Sequence, residues 1–475
     1  MKYILKTLDI IDKVSNELKL NIVENDKYRS LVADIYKLSQ SETIVLSDGL
    51  KEDIIVYLKS LNIQDEYPLL CKVSGIEMGI TFDFEYLTDN QLLRYLAIVL
   101  RTVTYLQKDN LLLLKYSKTI WNTGWHNLAK QCRGKVIDLD TRQAVVYPFN
   151  KFFNLNEVAE TKIEKVESLL DGADYISVTD KKDGSAIIVT NHNGEVIINT
   201  NGEFENEQIK LAKKLFVDKY NYFYNNVPEG YTFVFELIHP KNRIVLDYGD
   251  EQKLYLLAVR DLTSLKLLKY NSLVKIAKQF YLDITESFEF DDLQTFVDKT
   301  MNETENIKEG WVFRVIKDKT DMMFKLKYQE YFRLSRIKSI PSLKKVYALL
   351  QTGTLDDVLA VSENEIRDTV MSDVAVLFDY MEKFKGYIEE QADYYCKKYN
   401  QKIGEIEKEY LLKIVGELKT NPFSVYILRV VKDNQDINTL FDILPKTTTF
   451  EKLYKHYNAV YGIEEDNWDE KVSKN

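Results

Sequence analysis

The sequence has few of the residues that mark secreted, zinc-binding or disordered proteins. Its three cysteines, Cys71, Cys132 and Cys396, are far apart and form no CxxC pair. An odd number of scattered cysteines indicates reduced thiols in a cytoplasmic protein rather than a disulfide framework. The four histidines show no metal-ligand spacing, which argues against a zinc site. Seven prolines and 17 glycines in 475 residues leave little room for disordered linkers.

Long hydrophobic runs are also absent. No stretch of about 18 apolar residues occurs, which excludes an ordinary membrane-spanning helix. The first 20 residues, MKYILKTLDIIDKVSNELKL, mix charged and apolar residues at helical spacing. They predict an amphipathic helix rather than a signal peptide. With 45% hydrophobic and 29% charged residues, the composition is that of a globular protein without a membrane partner.

Positive charge is scarce overall but concentrated in one region. The net charge of −10 argues against attraction of nucleic acid to the whole surface. Residues 307–345 nevertheless contain 11 Lys and Arg against 4 Asp and Glu, a local excess of 11 − 4 = +7. Such an excess indicates a phosphate-binding region, although a solvated helix face explains it equally well.

The spacing of apolar residues changes twice along the chain, which predicts an α+β protein. Helical spacing runs through the first ~105 residues, in YRSLVADIYKLSQ, LKEDIIVYLKSLN and NQLLRYLAIVLRTVTYLQ. From about Gln131 to Tyr331, short strand-like runs alternate with the turn sequences NHNG, PEG and KDKTD, and NEQIKLAKKLFVDKYNYFY predicts one amphipathic helix. After Pro341 the helical spacing returns. We therefore predict domains at 1–108, 109–340 and 341–475, in line with the length of the chain.

Two lysines interrupt a run of strand-forming residues in DKKDGSAIIV, at 180–189. One interpretation is a hairpin with a solvated, lysine-rich loop. The other is a lysine nucleophile at Lys181, which requires nearby cations and desolvation to favour the neutral amine. Lys182 is one nearby cation, but adjacent side chains of a strand point to opposite faces. The short KxDG pattern by itself favours the hairpin.

Two further segments place charged side chains in apolar strands. In DMMFKLKYQEYFRL, Lys325 and Lys327 leave the same face of a strand. Such a pair suits a phosphoryl group, and the alternative is a strand with a solvated basic face. In GYTFVFELIHPKNRIVL, Glu236 shares a face with Val234 and Ile238, so it needs a partner. A ribose hydroxyl, a lysine or a metal would serve, as would a structural Arg or Lys.

Three other charged residues fit a site for phosphates and a metal. Glu309 opens the strand EGWVFRV beside a glycine that permits close backbone approach. A carboxylate there suits Mg²⁺, a hard cation that often arrives with phosphates. Arg133 in QCRGKVIDL and Lys151 in YPFNKFFNLNE offer a bidentate and a point-charge contact to phosphate. The simpler interpretation of each is a surface charge at a strand start or beside core aromatics.

The order of these segments resembles that of the covalent nucleotidyltransferases, a superfamily of polynucleotide ligases and mRNA capping enzymes. The resemblance is closest to the bacteriophage RNA ligase 1 family, from about Leu113 to the C-terminal helices, and weak over the first ~105 residues. KFFNLNE and PKNRIVL are more specific than KxDG. The segments that carry the resemblance are CRG, KFFNLNE, KKDGSAIIV, FELIHPKNRIVL, YLLAVRD, EGWVFRV and FKLKYQEYFRL.

This resemblance implies a monomeric, ATP-dependent RNA ligase in the cytoplasm of a bacterium or a virus-infected cell. Lys181 would attack the α-phosphorus of ATP and carry AMP, which would pass to the 5′-phosphate of an RNA before a 3′-hydroxyl seals the strand. The implied fold is a β-rich nucleotidyltransferase domain of antiparallel sheets with flanking helices. A helical N-terminal extension would precede it, and an all-helical C-terminal domain, associated in the family with broken tRNA, would follow.

The resemblance also assigns roles to the charged residues. Arg133 and Lys151 would hold the outgoing phosphates, Glu236 would lie near the nucleoside sugar, and Glu309 would hold Mg²⁺ or Mn²⁺. The expected catalytic residues are Lys181, Glu309, Lys325 and Lys327. The expected nucleotide-binding residues are Arg133, Lys151, Lys181, Asp183, Gly184, Glu236, Glu309, Lys325 and Lys327.

One position departs from the family. Where its members commonly have Ser/Thr-Lys/Arg-Gly, this sequence has Thr200-Asn201-Gly202, and Asn199 adds no charge. A phosphate or RNA contact is therefore missing or supplied by another residue. Two alternatives stay open: an RNA-binding or sensing protein that has lost turnover, and an enzyme that joins DNA ends or uses GTP, as capping enzymes do.

Overall fold

The computed structural model of the protein describes residues 1–40, 44–63, 83–120, 124–302, 308–328, 331, 342–359, 364–442, 444–463 and 468. The chain forms two compact units, 1–334 and 335–475. The sequence-based division into three domains, with boundaries after 108 and 340, stays a prediction. No helix in the described ranges is long and apolar enough to span a membrane.

The N-terminal residues form amphipathic helices, as their apolar spacing predicted. Their buried residues share one hydrophobic cluster with the first β-sheet, including Leu112, Leu114 and Ile137. The helical segment is therefore part of a common core with that sheet. The helices described in this segment are α1 Lys2–Glu17, α2 Lys27–Leu38, α3 Asp48–Ser60 and α4 Asp89–Arg101.

The first sheet begins earlier in the chain than the sequence indicated. Apolar spacing predicted a helix through Gln107, but α4 ends at Arg101 and Val103–Lys108 forms strand β1. The run Thr102-Val103-Thr104 is β-branched and favours a strand over a helix, so that part of the prediction was wrong. The sheet has the order β1-β2-β3-β4. Its remaining elements are β2 Leu111–Tyr116, helix α5 Asn127–Gln131, β3 Arg133–Asp138 and β4 Ala144–Val146.

Two five-stranded sheets follow, one with the order β11-β10-β9-β7-β8 and the other with β12-β6-β13-β14-β5. Neighbouring strands are antiparallel except in the pairs β10–β11 and β14–β5. The predicted α+β class with antiparallel sheets is therefore confirmed. The strands are β5 Phe153–Asn154, β6 Tyr175–Lys181, β7 Ser185–His192, β8 Glu195–Asn199, β9 Tyr231–Ile238, β10 Lys253–Asp261, β11 Asp283–Ile284, β12 Ser287–Phe288, β13 Gly310–Lys317 and β14 Thr320–Lys327.

Two of the predicted turns close hairpins. Asn193 and Gly194 connect β7 to β8 with φ angles of 54° and 80°, the left-handed pair that a tight two-residue hairpin requires. Asp318, with a φ of 54°, lies in the turn between β13 and β14. Turn chemistry therefore located these two hairpins correctly.

This region contains more helices than the one that the sequence predicted. The predicted helix is divided into α7 Glu207–Asp218 and α8 Asn221–Asn225. Phe216 of α7, Phe223 of α8 and Phe235 of β9 lie in one buried cluster that covers a face of the second sheet. The additional helices, α6 Ile163–Leu170, α9 Tyr270–Phe280 and α10 Leu293–Asn302, span only two or three turns each. A segment that short gives little periodic signal.

The described residues of the second unit are helical, as predicted. The long helix expected in VAVLFDYMEKFKGYIEEQADYYCKKY is present, and so is the helix expected in EIEKEYLLKIVGELK. Phe384, Phe423 and Phe450 are fully buried in this unit. Its helices are α11 Leu343–Thr352, α12 Leu355–Leu359, α13 Asn364–Lys398, α14 Lys408–Glu417, α15 Ser424–Asp433 and α16 Thr447–Tyr461.

Candidate functional site

The segment Lys181–Gly184 crosses from one five-stranded sheet to the other. Strand β6, which ends at Lys181, pairs with β12 and β13, whereas β7, which begins at Ser185, pairs with β8 and β9. The two strands do not form a hairpin, so the simpler interpretation of KKDG was wrong. Gly184 makes the crossing possible, because a Cβ there would lie 2.3 Å from the carbonyl oxygen of Leu237.

Glu309 holds two of the predicted lysines. In the strand register, Gly310 of β13 is opposite Lys181 on one side and Lys327 on the other. The Nζ atoms of Lys181 and Lys327 lie 2.8 and 2.9 Å from Oε1 of Glu309. The side chains of Glu309 and Lys327 are 5% and 1% exposed, whereas that of Lys181 is 20% exposed. Lys181 is therefore the member of this trio that solvent and a substrate can reach.

Gly310 allows β13 and β14 to approach closely at the trio. A Cβ at this position would lie 2.1 Å from the carbonyl oxygen of Leu326. The expected close backbone approach beside Glu309 is thus present. Glu309 itself is buried, so the interpretation as a surface glutamate was wrong.

The two lysines of β14 are buried rather than solvated. Lys325 and Lys327 are 8% and 5% exposed, which excludes the alternative of a solvated basic face. The other face of the strand packs on aromatic residues. Phe324 stacks on Phe313 with ring centroids 4.6 Å apart. The alternation predicted for this strand therefore holds, with the cations on the face that carries the site.

Glu236 is linked to the nucleophile segment by a backbone hydrogen bond. The amide of Gly184 donates to Oε1 of Glu236 at 3.0 Å. Val234 and Ile238, which share its face of β9, are buried, as the alternation predicted. Burial raises the pKa of Glu236 to about 7; Glu309 and Asp183 add to the rise, and Lys181 opposes it. The partner is thus a backbone amide, which was not among the candidates considered from sequence.

The carboxylate of Asp183 holds the PKNRIVL segment, residues 240–246, by hydrogen bonds. Its Oδ2 accepts hydrogen bonds from the amides of Val245 and Leu246 at 2.8 and 2.7 Å, and its Oδ1 accepts one from the Tyr331 hydroxyl at 3.0 Å. Its own amide donates to the Tyr248 hydroxyl at 3.0 Å. Burial and the nearby Glu309 raise the pKa of Asp183, and the two backbone bonds oppose the rise. The sequence analysis assigned no role to Tyr248 or Tyr331, although Tyr331 lies within the segment FKLKYQEYFRL.

Lys182 points away from the trio. Its Nζ lies 2.8 Å from Oδ2 of Asp180 and 4.8 Å from the ring centroid of Tyr255. Adjacent lysines thus have separate surroundings, as the strand geometry predicted.

Arg133 and Lys151 lie beside aromatic rings. The Arg133 guanidinium is 5.5 Å from the ring centroid of Phe152. Lys151 Nζ is 4.8 Å from the ring centroid of Trp125 and 5.2 Å from that of Phe153. Phe153 is in register with Phe324 of β14, so the segment that carries Lys151 borders the lysine strand. A phosphate contact by either cation stays a prediction.

Parts of two other sequence-based expectations fall outside the described ranges. Cys71 and residues 307, 329–330 and 332–341 of the basic region lie there. Cys132 and Cys396 are buried free thiols, in agreement with the expectation of reduced cysteines.

The chain is similar to known RNA ligases in sequence. Residues 131–332 match a family model described as RNA ligase. A protein of Thermovibrio ammonificans named as an inferred RNA ligase is 25% identical over 335 residues, which cover 66% of this chain and 82% of the relative. The RNA ligase of a Rhodothermus phage is 21% identical over 349 residues, which cover 60% of this chain and 78% of the relative.

Solved structures give partial likenesses. An archaeal ATP-dependent RNA ligase matches 59% of this chain and 70% of its own, at 13% identity and a TM-score of 0.36. An RNA ligase of Naegleria gruberi, solved with ATP and Mn, matches 36% of this chain at 18% identity and a TM-score of 0.29, and only 54% of its own length is spanned. The family match contains the KKDG crossing, Glu236, Glu309 and the lysine strand. In sequence, residues 131–332 of this chain are thus similar to the RNA ligases that this family model describes.

Proposed function

We propose that the chain joins 5′-phosphate and 3′-hydroxyl ends of RNA through a covalent lysyl-AMP at Lys181. The observation that carries the proposal is the trio in which Lys181 and Lys327 share Oε1 of Glu309. It combines an accessible amine with a buried carboxylate and a buried second cation. Phosphoryl transfer depends mainly on positioning and charge neutralisation, and the trio is suited to both.

In the first step, Nζ of Lys181 attacks the α-phosphorus of ATP. As the N–P bond forms, the bond to the leaving pyrophosphate breaks and the attacking amine passes one proton to solvent. The amine is neutral when it attacks because the ammonium of Lys181 has first given up another proton. Oε1 of Glu309, 2.8 Å from Nζ, is close enough to accept that proton. Lys325 and Lys327, buried on the same face of β14, provide positive charge for the phosphate oxygens.

The next two steps transfer the AMP and seal the strand. An oxygen of the RNA 5′-phosphate attacks the same phosphorus, the N–P bond breaks, and Nζ regains a proton. The 3′-hydroxyl of the second RNA end then attacks the 5′-phosphorus and loses its proton. The phosphodiester bond that closes the nick forms as the phosphoanhydride bond to AMP breaks, and AMP leaves. The hydrogen bond from Gly184 to Glu236 keeps the segment next to Lys181 in place throughout.

The acidic residues fit one divalent ion that arrives with the nucleotide. Within the described ranges, no group of three or more His, Cys, Asp and Glu residues could hold a metal by itself. Mg²⁺ usually binds through one or two carboxylates together with substrate phosphates. Glu309 would hold such an ion, and Mg²⁺ or Mn²⁺ bound there would neutralise charge on the phosphates.

The substrate class follows from the same proposal. RNA ends are the expected substrate, and tRNA broken in the anticodon loop is the specific candidate. The helical second unit would select it. DNA ends and GTP are the competing substrates that the assay below includes.

Radiolabelling tests the proposal. The protein incubated with Mg²⁺ and ATP labelled at the α-phosphate should retain label, and Lys181→Ala should retain none. Lys182→Ala is the matched control, because Lys182 pairs with Asp180 instead of Glu309, and it should label as the unchanged protein does. Label that persists in Lys181→Ala would contradict the assignment. Competition by GTP and a comparison of RNA, nicked tRNA and DNA ends then identify the substrates.

A further inference from the structure

Lys115, in strand β2 of the first sheet, approaches the loop that lacks the family's basic residue, and Lys118 follows two residues after the end of that strand. We infer that Lys115 and Lys118, together with Arg133, form a phosphate-binding subsite that replaces the cation absent at Asn201. The role of this subsite in catalysis rests on the proposed ligase function. The positions of the lysines rest on contacts that do not depend on that function.

Lys115 occupies space that Gly202 leaves open. A Cβ at position 202 would lie 2.5 Å from both Cδ and Nζ of Lys115. Lys115 belongs to β2, and its register partner in β3 is Arg133. An ammonium group from β2 therefore reaches the Thr200–Gly202 segment, where the family commonly has a Lys or Arg.

The backbone around Asn201 is fixed on the strand that begins with Arg133. A Cβ on Gly134 would lie 2.8 Å from the Cα of Asn201, so the two segments touch through their backbones. Nδ2 of Asn199 donates to the carbonyl oxygens of Gly134 and Thr200 at 3.1 and 2.8 Å. The loop and the strand are thus in direct contact beside Lys115 and Arg133.

Lys118 adds a buried amine that lacks a hydrogen-bond partner among the described residues. Its Nζ is buried and has no hydrogen-bond partner among the described residues. Burial, together with the nearby charge of Lys115, lowers the pKa of Lys118 to about 6. Burial also lowers the pKa of Lys115, and the negative charge of the exposed Glu203 partly offsets this decrease. Because an unpaired buried ammonium is costly, a phosphate would supply the negative charge and the acceptor atoms that this cluster lacks.

The phosphate belongs either to ATP or to the RNA backbone, and two assays distinguish these sources. Lys115→Met and Lys118→Met are compared with Lys108→Met, a surface lysine of the neighbouring strand that pairs with Glu205. One assay measures labelling of the protein as a function of ATP concentration. The other measures sealing of a pre-adenylylated RNA without ATP, which bypasses the first step.

If the phosphate belongs to ATP, the ATP concentration for half-maximal labelling should rise at least ten-fold and sealing should be unaffected. If it belongs to the RNA, sealing should fall at least ten-fold and labelling should be unaffected. Lys108→Met should change neither assay by more than two-fold. Both lysine variants remaining within two-fold of the unchanged protein in both assays would overturn the inference.

A second-site variant tests the replacement of residue 201. Adding Asn201→Lys to Lys115→Met restores a cation at the loop, and we expect it to recover most of the lost activity. A general folding defect caused by Lys115→Met would not be corrected this way. Absence of recovery would overturn the assignment of Lys115 as the replacement.

Proton uptake gives a readout that needs no turnover. Calorimetry near pH 7, in buffers of different ionisation enthalpy, would follow binding of inorganic pyrophosphate and of a 5′-phosphorylated RNA. Because a bound phosphate favours the charged form of Lys118, binding of one of these probes should take up about one proton, and Lys118→Met should abolish the uptake. No uptake with either probe overturns the subsite. Uptake in a protein that never labels Lys181 would support the subsite and contradict the ligase function instead.

Discussion

Lys181 and Lys327 donate to the same carboxylate oxygen, although strand β13 lies between the strands that carry them. This sharing is possible because both strands are in register with Gly310, the residue after Glu309. Two ammonium groups on one carboxylate leave the trio with a net positive charge. Under the proposed function, a polyphosphate would be attracted to a centre whose geometry is set before it binds.

The first prediction concerns the buried charges of the trio. Glu309→Gln removes the carboxylate that both lysines share, and we expect it to lower the free energy of unfolding by about 3–5 kcal/mol. The double variant Glu309→Gln/Lys327→Met should be less destabilised than Glu309→Gln alone, because it also removes a buried ammonium. Urea-induced unfolding of the two variants measures the difference.

A surface ion pair provides the control for that measurement. Lys13 and Asp53 form an ion pair with side chains 54% and 46% exposed. Asp53→Asn should therefore lower the free energy of unfolding by less than about 1 kcal/mol. A double variant at positions 309 and 327 that is less stable than the single variant would show that Lys327 stabilises the fold independently of Glu309.

The second prediction concerns the pH dependence that Glu236 imparts. Its folded-state pKa of about 7 exceeds the ordinary value of 4.5, so between these values the folded protein binds a proton that the unfolded chain releases. The stability contributed by this group therefore falls as pH rises through that window. Glu236→Gln has no such proton, so its free energy of unfolding does not fall in this window. Relative to the unchanged protein, its free energy of unfolding should therefore rise by up to about 3 kcal/mol between pH 4 and pH 8.

Unfolding midpoints at pH 4 and pH 8 test this shift. Glu195→Gln, an exposed position on β8, is the control and should differ little from the unchanged protein at either pH. If Glu236→Gln shows the same stability difference at both pH values, Glu236 does not hold a proton in the folded state.

Strand alternation was enough to predict which face each charged residue occupies, but not what it contacts. A period of two placed Glu236 with Val234 and Ile238, and it placed both lysines of β14 on one face. The partners come from distant parts of the chain. Glu309 lies more than a hundred residues after Lys181, and only the pairing of β6 with β13 brings them together. Register of that kind depends on tertiary packing and is not encoded by local spacing.

The errors in the predicted secondary structure also arise from strand pairing that local spacing does not reveal. Residues 90–107 carry apolar side chains at helical spacing, and the helix ends within that run at Arg101. The β-branched residues that follow become β1 because β2 supplies the partner strand. Likewise, KKDG has the composition of a hairpin turn. It crosses between sheets because β6 and β7 have different neighbours.

The last prediction concerns the loop held by Asp183. Asp183→Ala removes the carboxylate oxygen that accepts hydrogen bonds from the amides of Val245 and Leu246, so both amides should exchange with solvent about ten-fold faster or more. Hydrogen–deuterium exchange measures this directly. Tyr331→Phe is the control, because it removes only the hydroxyl bonded to the other oxygen, and both amides should stay protected. Unchanged exchange in Asp183→Ala would mean that other contacts hold the loop, and labelling of Lys181 should then be unaffected as well.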